Sequence, residues 1–419
     1  MKVAARAAAV LTVVAQAVLF ACPAAQAAPA ARVPSSAEIA KTAESAEATE
    51  TVAPGVTYRA FKVPTPRGDT RMHELAVVPA SGGPHAELLY PGTVAARSTV
   101  SRMVGARNAV AGVNGDFFHV EETQHPGVPA TGSPTGPAVV DGSPLKGAVP
   151  LGQRYGPRPP PGATPEDVFG VGTDGVARLD RLTLSGTVKT PTGPLAVGGL
   201  NQYALPVGAV GVFDSRWGAT SRARAVCGTD TSRAGACSTD VQEVAVRDGK
   251  VEAVSAAAGS GAIPPGTMVL LGRDAGARAL RALAPGTPVQ VDYDLAAASG
   301  TRFAFALGVS TLIRGGSPLA GLDAKAAAPR TAVCVAADGH GLRLLATDGR
   351  GGRSAGLTLS ELAAALRPLG CADAGYLDGG GSVTMATRDG GTGKVAVRNT
   401  LDGGAEREVP NGIAVFAGQ

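Results

Sequence analysis

Turn-forming residues interrupt this chain from end to end and limit its regular structure to short segments. The sequence contains 58 glycines and 31 prolines among 419 residues, whereas only 4% of its residues are aromatic. Short β-type runs flank Asp248-Gly249 and Asp338-Gly339, and each pair of runs is typical of a tight hairpin. These features predict a strand-rich mixed α+β fold, with a mainly antiparallel sheet core and few helices.

Two segments carry helical signals. Thr358 and Glu361 are spaced as in a capping box, and Gly370 would end that helix. Its apolar face is predicted from leucines spaced at i, i+4 and i+7, namely Leu362, Leu366 and Leu369. A second, weaker helix is predicted over Thr99–Val110.

The first 27 residues have the pattern of an export signal. A charged start is followed by an apolar run over Ala7–Ala21, which is too short to serve as a stable membrane span, and Ala25-Gln26-Ala27 has the small-x-small form of a cleavage site. A lipoprotein anchor at Cys22 is a competing interpretation, because Leu19–Cys22 loosely resembles the lipoprotein box. The pattern predicts a secreted or extracytoplasmic protein without a transmembrane helix in its mature chain.

Composition then bounds the remainder of the chain. Residues 28–55 are rich in Ala, Glu, Ser and Thr without an apolar period, so we expect a poorly ordered linker, followed by a folded domain over 56–419. The net charge of +4 is small and dispersed, and no Lys/Arg run is interleaved with aromatic residues. Nucleic acid is therefore not an expected partner.

The cysteines indicate two disulfide bonds. Cleavage after Ala27 would leave four cysteines, an even number in an oxidising compartment. A local bridge between Cys227 and Cys237 would close a polar loop, and the second bridge would then join Cys334 to Cys371. No CxxC pair or histidine pair accompanies them, as a zinc site would require.

The segment Leu377–Ser382 is the strongest candidate for chemistry. It places a carboxylate, Asp378, before three glycines, Gly379, Gly380 and Gly381, with the Ser382 hydroxyl after them. Consecutive glycines permit close backbone approach, and their N–H groups can form an anion-binding nest. An ordinary flexible loop or Asp-Gly turn is the alternative.

Other polar residues also stand at predicted strand ends: Asn114, Gly115, Asp116, Arg330, Asp348, Arg350 and Arg407. Arginines suit phosphate and carboxyl groups suit proton transfer, so together they favour hydrolysis of an anionic glycoside. Each also has a structural interpretation: a turn for Asn114-Gly115 and Asp348-Gly349, a surface ion pair for Arg330, and capping for Glu361.

The order of these segments resembles the phosphodiester glycosidase family, which includes N-acetylglucosamine-1-phosphodiester alpha-N-acetylglucosaminidase. The resemblance runs from about Tyr58 to Phe416 and is carried by Asn114–Phe118, Pro329–Ala332, Asp348–Arg350, Gly356–Ala363, Leu377–Ser382 and Glu406–Gly412. Cys334 stands where the family usually has glycine, and Gly308-Val309-Ser310 alters a glycine-rich turn. These departures affect the expected substrate preference more than the fold.

The resemblance implies cleavage of a sugar-1-phosphodiester in an envelope or extracellular glycopolymer. It implies Asp378 as the general acid or base, with Asp348 or Glu361 as its partner. The expected substrate-binding residues are Asn114, Gly115, Asp116, Arg330, Arg350, Gly379, Gly380, Gly381, Ser382 and Arg407. A non-catalytic glycan- or teichoic-acid-binding protein and an exopolysaccharide-assembly factor are the alternatives.

No cofactor follows from the residues with certainty. Asp116, Asp348 and Asp378 could gather around a hard cation such as Ca²⁺, although no spacing rule supports that site.

Overall fold

The structure, a computed structural model, describes residues 48–78, 82–350 and 354–418. The predicted signal peptide, the alternative lipidation at Cys22 and most of the predicted linker lie outside the described residues. The linker's last part is described, and it contains a strand, Glu50–Ala53, that pairs with Val56–Val63. The ordered fold thus begins a few residues before the expected boundary at residue 56.

Three sheets form the described part of the chain. The first sheet has eight strands in the order β1-β2-β3-β20-β19-β21-β17-β18. Their bounds are β1 Glu50–Ala53, β2 Val56–Val63, β3 Thr70–Val77, β17 Ser310–Arg314, β18 Ser317–Pro318, β19 Thr331–Val335, β20 Leu342–Thr347 and β21 Asp373–Tyr376.

The second sheet has eleven strands, and β15 pairs with β9 at its side. The bounds are β6 Ala138–Val140, β7 Ser143–Lys146, β8 Asp167–Gly172, β9 Ala177–Thr190, β10 Gly193–Leu200, β11 Val210–Phe213, β12 Val241–Arg247, β13 Lys250–Ser255, β14 Thr267–Arg273, β15 Gln290–Ala297 and β16 Phe303–Gly308. Its β10–β11 pair is parallel, and its other pairs are antiparallel.

The third sheet has five antiparallel strands in the order β23-β22-β5-β24-β4. Their bounds are β4 His85–Leu89, β5 Ala111–Asn114, β22 Met385–Arg388, β23 Val395–Val397 and β24 Gly412–Phe416. The largest hydrophobic cluster takes buried side chains from all three sheets, among them Leu344, Leu307 and Ile413. The three sheets therefore share one core, and the predicted strand-rich, mainly antiparallel fold is confirmed.

Within the described ranges there are three α-helices: α1 Val100–Ala106, α2 Ala275–Leu280 and α3 Leu359–Leu366. The capping box predicted for α3 is present, and a 3₁₀ turn over Arg367–Leu369 extends it to Gly370, which adopts a φ of 81°. Helix α1 is shorter than the predicted 99–110, because Asn108 takes a φ of 54° and breaks the helical path before β5. None of the described helices has the length and apolarity needed to cross a bilayer.

Both predicted disulfides are confirmed. Cys227 is bonded to Cys237, and Cys334 is bonded to Cys371 with a Cα–Cα distance of 5.2 Å. The second bond ties β19 to the chain just before β21. These two strands are antiparallel neighbours, with Ala332 opposite Tyr376.

Candidate active site

The register of β19 and β21 brings the two most important predicted residues together. Ala332 lies opposite Tyr376 in antiparallel strands, so Arg330, two residues before Ala332, and Asp378, two residues after Tyr376, are directed to the same edge and the same face of the sheet. The pairing continues beyond the strand ends, because Leu377 N–H donates to Thr331 O at 2.9 Å. A local sheet geometry thus converts two distant sequence motifs into one site.

The Asp378 backbone is also held by the third sheet. Its N–H donates to Gly115 O at 2.8 Å, and its own carbonyl accepts a hydrogen bond from Asn114 Nδ2 at 2.8 Å. Asn114 Oδ1 in turn accepts from Thr331 Oγ1 and from the Thr384 N–H. Asn114 is fully buried, and its hydrogen bonds position Asp378, so its contact with substrate stays a prediction that this geometry does not support.

The Asp378 carboxyl group titrates near neutral pH. Burial raises its pKa to about 7, and the nearby Asp116 charge acts in the same direction. The Ser382 side chain, the Gly379 N–H at 2.9 Å and the Arg407 charge oppose this increase. An acid with such a pKa can both donate and accept a proton at physiological pH, as general acid–base catalysis requires.

Asp378 opens into a cavity of about 270 Å³. Its polar lining comes from Asp378, Gly379, Gly380, Arg330 and Arg407. The rest of the lining is mostly apolar and comes from Phe117, Phe118, Val120, Tyr155, Gly156 and Pro157. A cavity lined by both charged and apolar groups suits an amphipathic ligand such as a sugar phosphate.

Arg330 supplies buried positive charge to this cavity. Its side chain is only 6% exposed, and its Nε and Nη2 donate to Leu357 O at 2.9 Å and Ala326 O at 2.7 Å. Burial lowers its pKa, and no acid in the described ranges lies within ion-pair distance of it. The predicted surface ion pair is therefore absent, and the unpaired charge is available to an anion.

Arg407 lies at the rim of the same cavity. It is exposed, and its Nη1 donates to Ser382 Oγ at 3.3 Å. The guanidinium rests against Gly381, where an added Cβ would come within 2.5 Å of Arg407 Nη2. A side chain at 381 would therefore displace the Arg407 guanidinium from the Asp378 loop.

The glycine run does not form the predicted open nest. The Gly379 N–H binds the Asp378 carboxylate, the Gly380 N–H donates to Pro329 O, and the Ser382 N–H donates to Gly379 O. Three of these backbone donors are therefore engaged within the protein. Ligand charge must instead be met mainly by arginine side chains.

Gly115 and Asp116 lie behind the cavity and do not line it. A Cβ on Gly115 would approach Asn411 Oδ1 to 2.4 Å, so this glycine allows two strands to meet closely. The buried Asp116 carboxylate accepts from Thr135 Oγ1 at 3.0 Å and from Gly136 N–H at 2.5 Å. Both residues have internal structural contacts, so their role in substrate binding stays a prediction without support from this geometry.

Asp348 and Arg350 follow β20, whose last residue, Thr347, is hydrogen-bonded to Arg330 at the same end of the first sheet. Tyr58 Oη lies 2.8 Å from His73 Nδ1, and His73 Nε2 lies 2.9 Å from Asp348 Oδ1. Burial favours a higher pKa for Asp348, but hydrogen bonds from His73 and the Thr400 N–H outweigh it and lower the pKa. Arg350 is paired with Asp402. Neither Asp348 nor Arg350 lines the cavity, so their roles at the site stay predictions that this geometry does not support.

Glu361 has a structural role as well. Its carboxylate accepts from the Thr358 N–H at 2.8 Å and from Arg67 Nη2 at 2.5 Å. The capping interpretation therefore accounts for the contacts of this residue, and its catalytic role stays a prediction.

The expected Ca²⁺ cluster is not formed. Asp116, Asp348 and Asp378 each have different neighbours. Among the described residues, the group with metal-ligand proximity is His125 with Cys227 and Cys237, and both of its sulfur atoms are in a disulfide. In the part of the chain that the structure describes, no three carboxylates lie within metal-ligand distance of one another.

Tyr155 is a cavity residue that sequence reasoning missed. Its hydroxyl donates to Glu121 O at 2.6 Å, and Arg233 lies over its ring at 4.2 Å. It directly precedes the proline-rich segment 157–165. Aromatic residues are rare in this chain, so an aromatic residue next to a proline-rich loop was the one sequence signal that could have pointed to Tyr155 as a cavity residue.

Comparisons with known proteins identify similar sequences and folds. A family model described as phosphodiester glycosidase matches residues 240–416, which include Arg330, Asp378 and Arg407 but not Asn114. No curated protein matches the sequence. A putative exported protein from Burkholderia pseudomallei K96243 has a similar structure, with a TM-score of 0.63, 26% identity, and coverage of 84% of this chain and 75% of that one.

Two further structures are similar to different degrees. A hypothetical protein from Synechocystis gives a TM-score of 0.67 at 20% identity over 88% of this chain, which spans 63% of the length of that protein. The zebrafish N-acetylglucosamine-1-phosphodiester alpha-N-acetylglucosaminidase catalytic domain, auto-inhibited by its pro-peptide, gives a TM-score of 0.43 at 14% identity, covering 88% of this chain and 86% of that one.

Proposed function

Because this chain belongs to the phosphodiester glycosidase family through residues 240–416, we propose that it hydrolyses sugar-1-phosphodiester bonds. The single observation that supports this proposal most is the shared cavity of Asp378 and Arg330. A carboxyl group with a pKa of about 7 there faces a buried cation that has no acid partner. Proton transfer and anion binding are the two functions that this hydrolysis needs.

In the proposed reaction, water attacks the phosphate-linked sugar and the bond to the leaving oxygen breaks. Protonated Asp378 gives its proton to that oxygen, and the resulting carboxylate takes a proton from water, so the group is restored after each turnover. Arg330 and Arg407 stabilise the negative charge of the phosphate group. The sugar ring would pack its C–H face against the wall that contains Tyr155.

Substitution of Asp378 tests the proposal directly. We expect Asp378→Asn to lower kcat on a sugar-1-phosphodiester, such as a UDP-sugar, by about a hundredfold or more, because it removes the proton-transferring group. Released sugar is quantified by chromatography. Asp402→Asn is the matched control, because Asp402 lies near Arg407 but outside the cavity.

Folded Asp378→Asn protein with wild-type turnover would exclude the proposed role of Asp378. Failure of the wild-type protein to release sugar from a panel of such esters would instead favour a glycan-binding protein. That second candidate has one observation in its favour: Asp378 is the single carboxyl group among the described residues that line the cavity. Most glycosidases use two.

An extracytoplasmic location is part of the proposal. Two disulfides are bonded in the structure, and such bonds persist mainly in oxidising compartments. The Burkholderia structure is described as a putative exported protein. An envelope or extracellular glycopolymer is therefore the proposed source of the substrate.

A further inference from the structure

A group of buried polar atoms without partners lies directly behind the Asp378 cavity. Arg154 is only 7% exposed, yet its Nε and Nη1 have no hydrogen-bond partner among the described residues. The Tyr376 and Ser310 hydroxyls, on residues that are 0% and 1% exposed, lie beside each other, and neither has a hydrogen bond to any other described group. Unpaired buried polar groups are costly, and their occurrence together calls for a common explanation.

The strand register explains why these groups are neighbours. Tyr376 lies opposite Ala332 on one side and opposite Ser310 on the other. Tyr376 and Asp378 stand two residues apart and therefore share one face of the sheet. The Phe117 ring, which lines the cavity, meets the Tyr376 ring edge-on with centroids 5.7 Å apart.

The charges of Arg154 and Arg330 both affect the pKa of the Tyr376 phenol. Burial raises the pKa of its phenol, and the Ser310, Arg154 and Arg330 side chains act in the opposite direction. Arg330 also lines the cavity, so it adjoins both the cavity and the buried polar groups around Tyr376. Two guanidinium groups thus act on Tyr376, whose hydroxyl lies beside that of Ser310.

The positive charge near Tyr376 is compensated only at a distance, because Asp323 acts on both Arg330 and Tyr376 without forming an ion pair. Arg154 Nη2 donates to the neutral Thr135 hydroxyl at 3.3 Å, and no described acid lies within ion-pair distance of Arg154. The nearby Asp116 carboxylate is already engaged by Thr135 and Gly136, and it also faces the buried Lys146. An anion with several acceptor oxygens would satisfy the two guanidinium groups and both hydroxyls at once.

We propose that the phosphate group of the substrate is bound in a recess formed by four side chains, Arg154, Arg330, Tyr376 and Ser310. This inference rests on the proposed function, because it assumes that the substrate carries phosphate. In this inference, side chains bind the anion, whereas the sequence predicts that the backbone of the glycine run does so. The sugar would then occupy the outer cavity beside Tyr155, and Asp378 would stand between the two parts.

Binding of inorganic phosphate, measured by isothermal titration calorimetry and ³¹P NMR, tests the recess without requiring turnover. We expect saturable binding by the wild-type protein. Tyr376→Phe should weaken it about tenfold, because it removes one hydrogen bond to a charged oxygen. Arg154→Gln should weaken it at least as much. Arg158→Gln should leave it unchanged, because Arg158 is exposed and lies in the same loop.

A second readout separates anion binding from a purely structural role. In phosphate-free buffer, Tyr376→Phe should lie close to the wild-type melting temperature, because the buried hydroxyl that it removes has the Ser310 hydroxyl beside it and no other described hydrogen-bond partner. The same variant should show a smaller stabilisation by added phosphate. Loss of affinity together with retained stability would therefore identify the hydroxyl as a ligand-binding group.

Two results would overturn the inference: absence of saturable phosphate binding, or wild-type phosphate affinity in both Tyr376→Phe and Arg154→Gln. The second result would mean that water satisfies these groups and that phosphate binds only in the outer cavity. The proposed function fails separately. Phosphate binding that depends on Arg154, without sugar release from any ester, would leave the recess intact and exclude hydrolysis.

Discussion

At the residue scale, ionisation of Asp378, the proposed proton-transfer group, lowers the stability of the folded protein. Its ordinary pKa of 3.8 is raised to about 7 mainly by burial, so the folded protein holds a proton that the unfolded chain has released. Between these two values the folded state binds more protons than the unfolded state. Its free energy of unfolding therefore falls as pH rises through this range and levels off above it.

This argument predicts the effect of neutralising the residue. Asp378→Asn cannot ionise, so the melting temperature of the variant relative to wild type should rise between pH 5 and pH 8. Thermal unfolding followed by circular dichroism at both pH values measures the difference. A constant difference would mean that the carboxyl group ionises equally easily in the folded and unfolded states.

The residues of the site differ in how far sequence could predict them. The structure brings together Asp378, Arg330, Ser382 and Arg407. The sequence could single out these residues because carboxyl, hydroxyl and guanidinium groups suit proton transfer and anion binding. Asp348 and Glu361 have the same chemical type, but His73 and Arg67 engage them elsewhere. Those partners are about 275 and 294 residues away in sequence, so no local pattern could reveal them.

At the element scale, local signals predicted what local interactions determine. The hairpin of β12 and β13 follows from Asp248-Gly249, whose φ values of 49° and 72° suit a two-residue turn. The pairing of β19 with β21 has no such signal, because α3 lies between them in the chain. That non-local pairing is what brings Arg330 to Asp378.

Helix α3 gives a test of the capping interpretation. We expect Glu361→Gln to lower the free energy of unfolding by about 1 kcal/mol, because it weakens the cap and the ion pair to Arg67. Urea denaturation measures this change. Turnover at saturating substrate should stay within about twofold of wild type. A loss approaching that of Asp378→Asn, at unchanged stability, would restore Glu361 as a catalytic candidate.

At the scale of the whole molecule, the Cys334–Cys371 bond closes a long segment next to the site. The bonded residues are 37 apart in sequence, and the segment includes β20 and α3. Loss of the bond by paired substitution to serine should cost about 2–4 kcal/mol, since it frees the unfolded chain.

Calorimetry of the double variant Cys334→Ser/Cys371→Ser measures that cost. The matched control is Cys227→Ser/Cys237→Ser, which opens a loop of only 10 residues and should cost less. An equal or larger cost for the shorter loop would show that native-state contacts, rather than chain entropy, dominate the effect.

Through Asn114, the geometry of the proposed site depends on contacts between two sheets. It belongs to β5 of the third sheet, and its amide binds Asp378 O and Thr331 Oγ1 at the end of the first sheet. The geometry of the proposed site therefore depends on how the first and third sheets pack against each other. A shift of one sheet relative to the other, caused by heat or by a distant core substitution, would abolish activity before either sheet had unfolded.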